Sequence, residues 1–245
     1  MVMFDVNLSL GRWPFRPSEL ENRCMLASYL SKHGVTGGLV RSAEAVFSRA
    51  PDLDNQRLFS QCQDWPGFLP LPVVHPEWSF WKEFSKVPAA ALYPTFHSYS
   101  LTAGATIDMA RALARRGLLS VVVLREEDER AQHPLCRVPK LAVAELDAFA
   151  QALGNTPVLA LNAYLGEILA SQATNLHFDL AFAEGFPTLP ALLDKLGSKR
   201  LLLGSHAPYF CVSAALVKLE RSSSEDMENI VSRNATRLLR PTIGE

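Results

Sequence analysis

Short apolar runs alternate with longer amphipathic segments along almost the whole chain. Apolar runs of about four to eight residues suit buried parallel strands, and segments repeating with a period near 3.6 suit helices laid on a sheet. Strands are expected at 3–10, 35–41, 68–74, 89–93, 119–124, 157–161, 176–180 and 200–203. Helices are expected from Ser18 to near Gly34, then at 52–64, 79–86, 105–116, 140–153, 165–171, 189–196, 209–220 and 225–239. Ser18 with Glu21 three places on reads as a capping box, and Gly34, Gly117 and Gly154 read as helix stops.

Strands that each lead into a helix, without a break in composition, predict an α/β fold. The expected form is a single (β/α)8 TIM barrel over residues 1–245 with a C-terminal closing helix. A doubly wound open sheet is the competing architecture, because counting strands does not show closure. No GxGxxG run follows the first strand, which argues against a dinucleotide site.

Composition narrows the function classes. The 245 residues match the usual size of a barrel domain, and a hydrophobic fraction of 48% excludes a disordered chain. With a net charge of -1 there is no field to gather nucleic acid or an anionic membrane, and Arg111, Arg115 and Arg116 read as a solvated helix face. Cys24, Cys62, Cys136 and Cys211 show no CxxC spacing and are expected as reduced core residues. No secretion signal or membrane-length apolar run is visible, so the cytoplasm is the expected location. The expected partner is a small-molecule ligand, with no nucleic acid and no membrane, and a homodimer is compatible.

In a barrel, function gathers where strands end and loops begin. The first strand ends in Asp5-Val6-Asn7-Leu8-Ser9-Leu10-Gly11-Arg12-Trp13, the second at Arg41 and the third at His75. The fourth runs into Tyr93-Pro-Thr-Phe-His97, the fifth into Arg125-Glu126-Glu127-Asp128-Glu129-Arg130, the sixth into Asn162 and the seventh into Asp179. The eighth reads Gly204-Ser205-His206-Ala207-Pro208.

These motifs resemble the amidohydrolase-related family of the metal-dependent hydrolase superfamily. Asp5-x-Asn7-x-Ser9-x-Gly11 stands where that family has Asp-x-His-x-His-x-Gly. Arg200-Leu-Leu-Leu-Gly-Ser-His-Ala-Pro208 resembles its strand-eight Arg-Leu-Leu-Phe-Gly-Ser-Asp-x-Pro, and Asn234-Ala-x-Arg-Leu238 resembles its closing helix. The resemblance implies a barrel hydrolase or decarboxylase holding zinc or a similar ion. The implied ligands are two histidines after strand one, one each from strands five and six, and a strand-eight aspartate. Here those positions hold Asn7, Ser9, Leu124 or Arg125, Asn162 and His206. Neutral amides and hydroxyls bind zinc poorly, so no cofactor is expected. A zinc ion held by other residues, drawn from His75, His97, His206, Glu126 and Asp179, is the alternative.

The candidate catalytic residues are His206, Asp179 and Glu126, because imidazole and carboxylates move protons. The candidate substrate-binding residues are Asn7, Ser9, Arg12, Trp13, Arg41, His97, Arg125 and Asn162. Arg125 could clamp a carboxylate through its planar fork. Each has a structural alternative: His206 bonded to a carbonyl, the acidic run as a solvated loop, the aromatics packed over the rim. Three functions stay open. One is a metal-independent enzyme of hydrolase or lyase type acting on a small organic acid. The others are a non-catalytic binding barrel with its mouth blocked by Trp13 or Phe96, and a hydrolase with an unconventional metal site.

Overall fold

The computed structural model describes residues 2–15, 17–48, 51–78 and 87–243, with side chains as far as Leu239. The apolar runs become β1 (Met3–Leu10), β2 (Val35–Ser42), β3 (Phe68–Pro70), β4 (Val73–Val74), β5 (Ala89–Leu92), β6 (Leu119–Val123), β7 (Val158–Leu161), β8 (Leu176–Asp179) and β9 (Leu201–Leu202). Neighbours pair in parallel in the orders β1-β2-β3 and β4-β5-β6-β7-β8-β9.

The expected third strand is split because Pro72 has no N–H to donate. It still joins both sheets. Leu71 donates its backbone N–H to Val40 O at 2.7 Å, and Ala91 donates to Pro72 O at 2.8 Å. At the opposite seam Val6 donates to Leu203 O and Ser9 to Ala207 O, both at 2.9 Å. The strands therefore form the ring that the sequence predicted, a (β/α)8 barrel.

Strand periodicity sorts the core into two layers. Ala89, Ala91 and Tyr93, with Leu119, Val121, Val123, Leu159 and Leu161, fill the interior. The alternating Ala90, Leu92, Val122, Leu124, Val158 and Ala160 pack outward against helix residues such as Met109, Leu113, Leu146, Phe149 and Leu192. Inward positions at the strand tops are thereby handed to the mouth.

The outer ring comprises α1 (Arg23–Lys32), α2 (Pro51–Gln63), α3 (Gly104–Arg115), α4 (Val143–Ala152), α5 (Leu165–Ala170), α6 (Thr188–Leu196), α7 (Val212–Val217), α8 (Ser224–Glu228) and α9 (Asn234–Ile243). Gly34, Gly117 and Gly154 end helices at positive φ, as expected. The first helix begins later than the capping box suggested. Asn22 is its cap, accepting from Met25 N–H at 2.9 Å, while Ser18 and Glu21 make a turn ahead of it. The expected helix at 79–86 lies outside the described residues.

The closing helix is not continuous. Residues Asn229–Arg233 widen into a π turn, in which Leu203 donates to Ile230 O at 2.9 Å. A carbonyl bonded to the barrel in this way accompanies the local unwinding. Of the cysteines expected in the core, Cys62 is buried, its thiol pushed up to about 12 by burial, but Cys24 and Cys211 are exposed. No helix among the described residues is long and apolar enough to cross a membrane.

Asn234 ties α9 to the barrel floor. Fully buried, it donates through Nδ2 to Ser198 O at 2.8 Å and Leu201 O at 2.7 Å. Asn234→Ala leaves both carbonyls buried without that partner and should cost about 2 kcal/mol. Urea unfolding should show a lower midpoint with an unchanged slope; an unmoved midpoint would refute the role.

Candidate functional site

The strand tops enclose a polar ring, and its shape begins with an irregularity in β1. Asp5 pairs with Gly38 but Leu8 pairs with Val40, so β1 carries an extra residue between them. The Asn7 N–H is bonded to Asp5 Oδ1 at 2.9 Å. Such a bulge re-aims a side chain, and here it coincides with Asn7 entering the ring.

Asn7 is the hub. Its Nδ2 donates to Asn162 Oδ1 and to Asp179 Oδ2, each at 2.6 Å, and its Oδ1 accepts from Arg41 Nη1 at 2.6 Å. Arg41 then forks onto Glu126: Nε donates to Oε1 and Nη2 to Oε2, both at 3.1 Å. Tyr93 donates its hydroxyl to Glu126 Oε1 at 2.6 Å. All of these side chains are buried.

His206 completes the ring with its backbone at φ 59, a left-handed conformation that costs a non-glycine residue about 1 kcal/mol. Its Nε2 lies 2.8 Å from Glu126 O, and its Nδ1 lies 3.1 Å from Arg41 Nη2. A carbonyl only accepts, so Nε2 carries a proton, while Nδ1 faces the donor Arg41 Nη2 at 3.1 Å and the acceptor Asn7 Oδ1 at 3.4 Å.

The electrostatics follow the pairing. Burial works against the Glu126 charge, but Arg41 and then His206 outweigh it and hold the carboxyl below its usual range. Burial also opposes the Arg41 charge, and Glu126 more than restores it. Asp179 has no such cation bonded to it, and burial raises its pKa against the bonds from Asn7, Asn162 and Ala181. Asp5 is raised to about 7 by burial, against the Ser205 side chain and the N–H groups of Asn7 and Ser205, which bond its carboxyl. Its Oδ2 has no partner.

The other sequence candidates fall around this ring. Arg125 is held by Glu167, with Nη1 and Nη2 donating at 2.7 and 2.6 Å, and its guanidinium lies 3.9 Å from the Tyr164 ring centre. The fork expected for a ligand is spent on Glu167. Asn162, at φ 63, joins the ring through Asn7 and Asp179. Ser9 is buried at the seam with the segment after β9, and Arg12 is exposed, its N–H donating to Glu44 Oε1. Asp128 pairs with Arg130 as a solvated loop would.

His97 donates from Nε2 to Val46 O at 2.9 Å, and its ring centre is 5.9 Å from that of His75, which stacks on Trp78. Burial lowers both imidazole pKa values. His177 lies deeper and is lowered to about 4 by burial, with Arg200 and Arg237 adding to the effect. Sequence reasoning passed over Tyr93, Asp5, Glu167 and Tyr209. For Tyr93 the signal was present, since it lies two residues from the inward Ala91 on the same strand face.

Above the ring lies an aromatic cap. Trp13 is buried, with its ring centre 4.7 Å from Phe47, 5.9 Å from Tyr209 and 6.2 Å from Phe96. Within this cap Trp13 Nε1, the Tyr209 hydroxyl and Thr95 Oγ1 are buried with no hydrogen-bond partner. The Tyr209 hydroxyl feels both Glu126 and Arg41, although burial is the main reason its pKa is raised.

A divalent ion does not suit these residues. Asn7 Oδ1, the Glu126 carboxylate and His206 Nδ1 all bond the Arg41 guanidinium, so the acceptors already surround a cation. Among the described residues no group of three or more His, Cys, Asp or Glu could hold a metal ion.

Neither protein-family models nor curated proteins match the chain. Solved structures do. A 5-carboxyvanillate decarboxylase from Sphingomonas paucimobilis aligns with a TM-score of 0.76 and 11% identity over 98% of this chain and 99% of that one. A dihydroxybenzoic acid decarboxylase from a Polaromonas species, with manganese and 2-nitroresorcinol bound, gives 0.74 and 13% over 100% and 99%. A zinc-bound amidohydrolase from Burkholderia multivorans gives 0.69 and 11% over 98% and 99%. At such identities the likeness establishes the shared fold.

Asp5 makes the site's proton count visible in stability. Its folded pKa of about 7 exceeds the ordinary 3.8. The folded state therefore keeps a proton that the unfolded chain has released, and Asp5's contribution declines from about pH 4 to pH 7. Asp5→Asn cannot titrate, so its stability relative to wild type should improve by up to about 4 kcal/mol between pH 4 and pH 8. Parallel urea curves for the two proteins with no pH-dependent difference would reject the shift.

Proposed function

We propose, from a fold shared with amidohydrolases and aromatic-acid decarboxylases, that this barrel binds a small planar organic acid at its mouth without a metal ion. The observation that carries the reading is the set of three unpartnered polar groups in the cap, on Trp13, Tyr209 and Thr95. Buried polar groups without partners cost about 1–3 kcal/mol each, so a native site that retains several is built for something that pairs with them. Indole Nε1 only donates, and the two hydroxyls can donate, so the complementary ligand presents acceptor oxygens. Trp13, Phe96, Tyr209 and Tyr93 pack around these groups through faces and edges, surroundings that would suit a flat apolar body. A benzoic acid bearing hydroxyl groups has both properties, and dihydroxybenzoate and carboxyvanillate are what the fold neighbours' enzymes act on by name.

In this reading the protein is a binding barrel. A general base needs a lone pair that reaches substrate. Here His206 Nδ1 faces Arg41 and the Glu126 oxygens are taken by Arg41 and Tyr93. One observation favours a second reading, a metal-independent enzyme of lyase or hydrolase type. Asp5 keeps a proton to about pH 7 with one oxygen unpartnered, which makes it a proton store inside the same barrel.

Calorimetry with a panel of hydroxybenzoic acids tests the binding, with the metal content of the same preparation measured. At least one acid should bind, and Tyr209→Phe should weaken it about tenfold, the worth of one hydrogen bond to an anion. The absence of binding across the panel, or equal affinity in Tyr209→Phe, defeats the proposal. Stoichiometric metal would defeat its metal-free part. Loss of the bound acid to product on long incubation would select the enzyme reading.

A further inference from the structure

We infer that Arg41 is the resident cation of this barrel, a positioning residue whose guanidinium occupies a pocket built to recognise that group and sets the state of the ring around it. The inference rests on the metal-free reading above and deepens it.

The pocket matches the shape of a guanidinium and not merely its charge. Glu126 accepts along one edge through two oxygens at equal distances of 3.1 Å, the bidentate geometry that only a planar fork satisfies. His206 Nδ1 at 3.1 Å and Asn7 Oδ1 at 2.6 Å receive the remaining directions. These acceptors come from three strand tops, and Arg41 itself comes from β2. A lysine ammonium is a point charge with three donors and cannot reproduce the coplanar pair.

Two consequences pass through Arg41 to its neighbours. By facing Nδ1 with a donor it favours the His206 tautomer whose proton is on Nε2, the nitrogen bonded to Glu126 O. By donating to Asn7 Oδ1 it orients that amide so that Nδ2 points to Asn162 and Asp179, which links the two halves of the ring. Without the guanidinium both the imidazole tautomer and the amide orientation lose the contact that selects them. Glu126 would also be left as a buried carboxylate without its counter-ion.

The test uses the full chain with Arg41→Ala and Arg41→Lys, read by thermal unfolding and by the 15N NMR signature of His206. Neither readout needs a ligand at the mouth, so failure here is distinct from failure of the acid-binding proposal. Arg41→Ala should lose about 10 °C in Tm and the wild-type Nε2–H signature of His206. Methylguanidinium should restore both saturably, while methylammonium at equal concentration should not. Arg41→Lys should keep the charge but not the signature. If Arg41→Ala does not fold, Arg41→Lys carries the test alone. The inference is overturned if methylguanidinium acts no better than methylammonium on Arg41→Ala, or if Arg41→Lys retains the wild-type signature. Zinc dialysed into the wild type should leave the signature unchanged, and a stoichiometric ion that alters it would also overturn the inference.

Discussion

A charged pair buried inside a parallel barrel is the constraint on which the rest of the site depends. Arg41 and Glu126 stand on β2 and just after β6, with side chains almost wholly hidden from solvent. Removing either charge from water costs several kcal/mol, and their attraction recovers this only when the geometry is good and the spare hydrogen-bonding capacity is used. Tyr93, Asn7 and His206 supply that capacity. The polar ring is thus a connected answer to one desolvation problem, and each member's orientation follows from its neighbour's.

The barrel makes such a network possible. Parallel strands send alternate residues inward, so Tyr93, Asn7, Arg41 and Asp179 reach the same interior from different strands. The bulge in β1 adjusts Asn7, and left-handed backbones at Asn162 and His206 turn two more strand ends into the ring. Non-glycine residues in that conformation persist only where their surroundings over-determine them. The chemistry is therefore fixed by backbone devices at the rim rather than by the core below it, which packs as any aliphatic interior does.

Function follows from which groups this arrangement leaves over. Glu126 and His206 both bond Arg41, while Trp13 Nε1 and the Tyr209 hydroxyl in the cap have no hydrogen-bond partner. Arg125 illustrates the distinction. It follows the same strand as Glu126 and is equally buried, yet its fork meets Glu167 and its plane the Tyr164 ring. Neighbouring barrels with bound manganese or zinc share the scaffold, and fold alone does not transfer a reaction.

What the sequence by itself determined was the scaffold. The two periodicities of the apolar pattern gave the strands and the outer helices, because burial of one face is a local property repeated along the chain. Boundaries were less secure where tertiary bonds intervene, as at the π turn that accompanies the bond between Leu203 and Ile230 and at the Asn22 cap. Only the tertiary structure decided that Arg41 pairs with Glu126 while Arg125 pairs with Glu167, that His206 bonds the Glu126 carbonyl, and that Trp13 closes over the ring. Partner choice among charged and aromatic side chains depends on distances between residues far apart in the chain. No local pattern encodes those distances, and the cost of burying a charge makes one partner decisive.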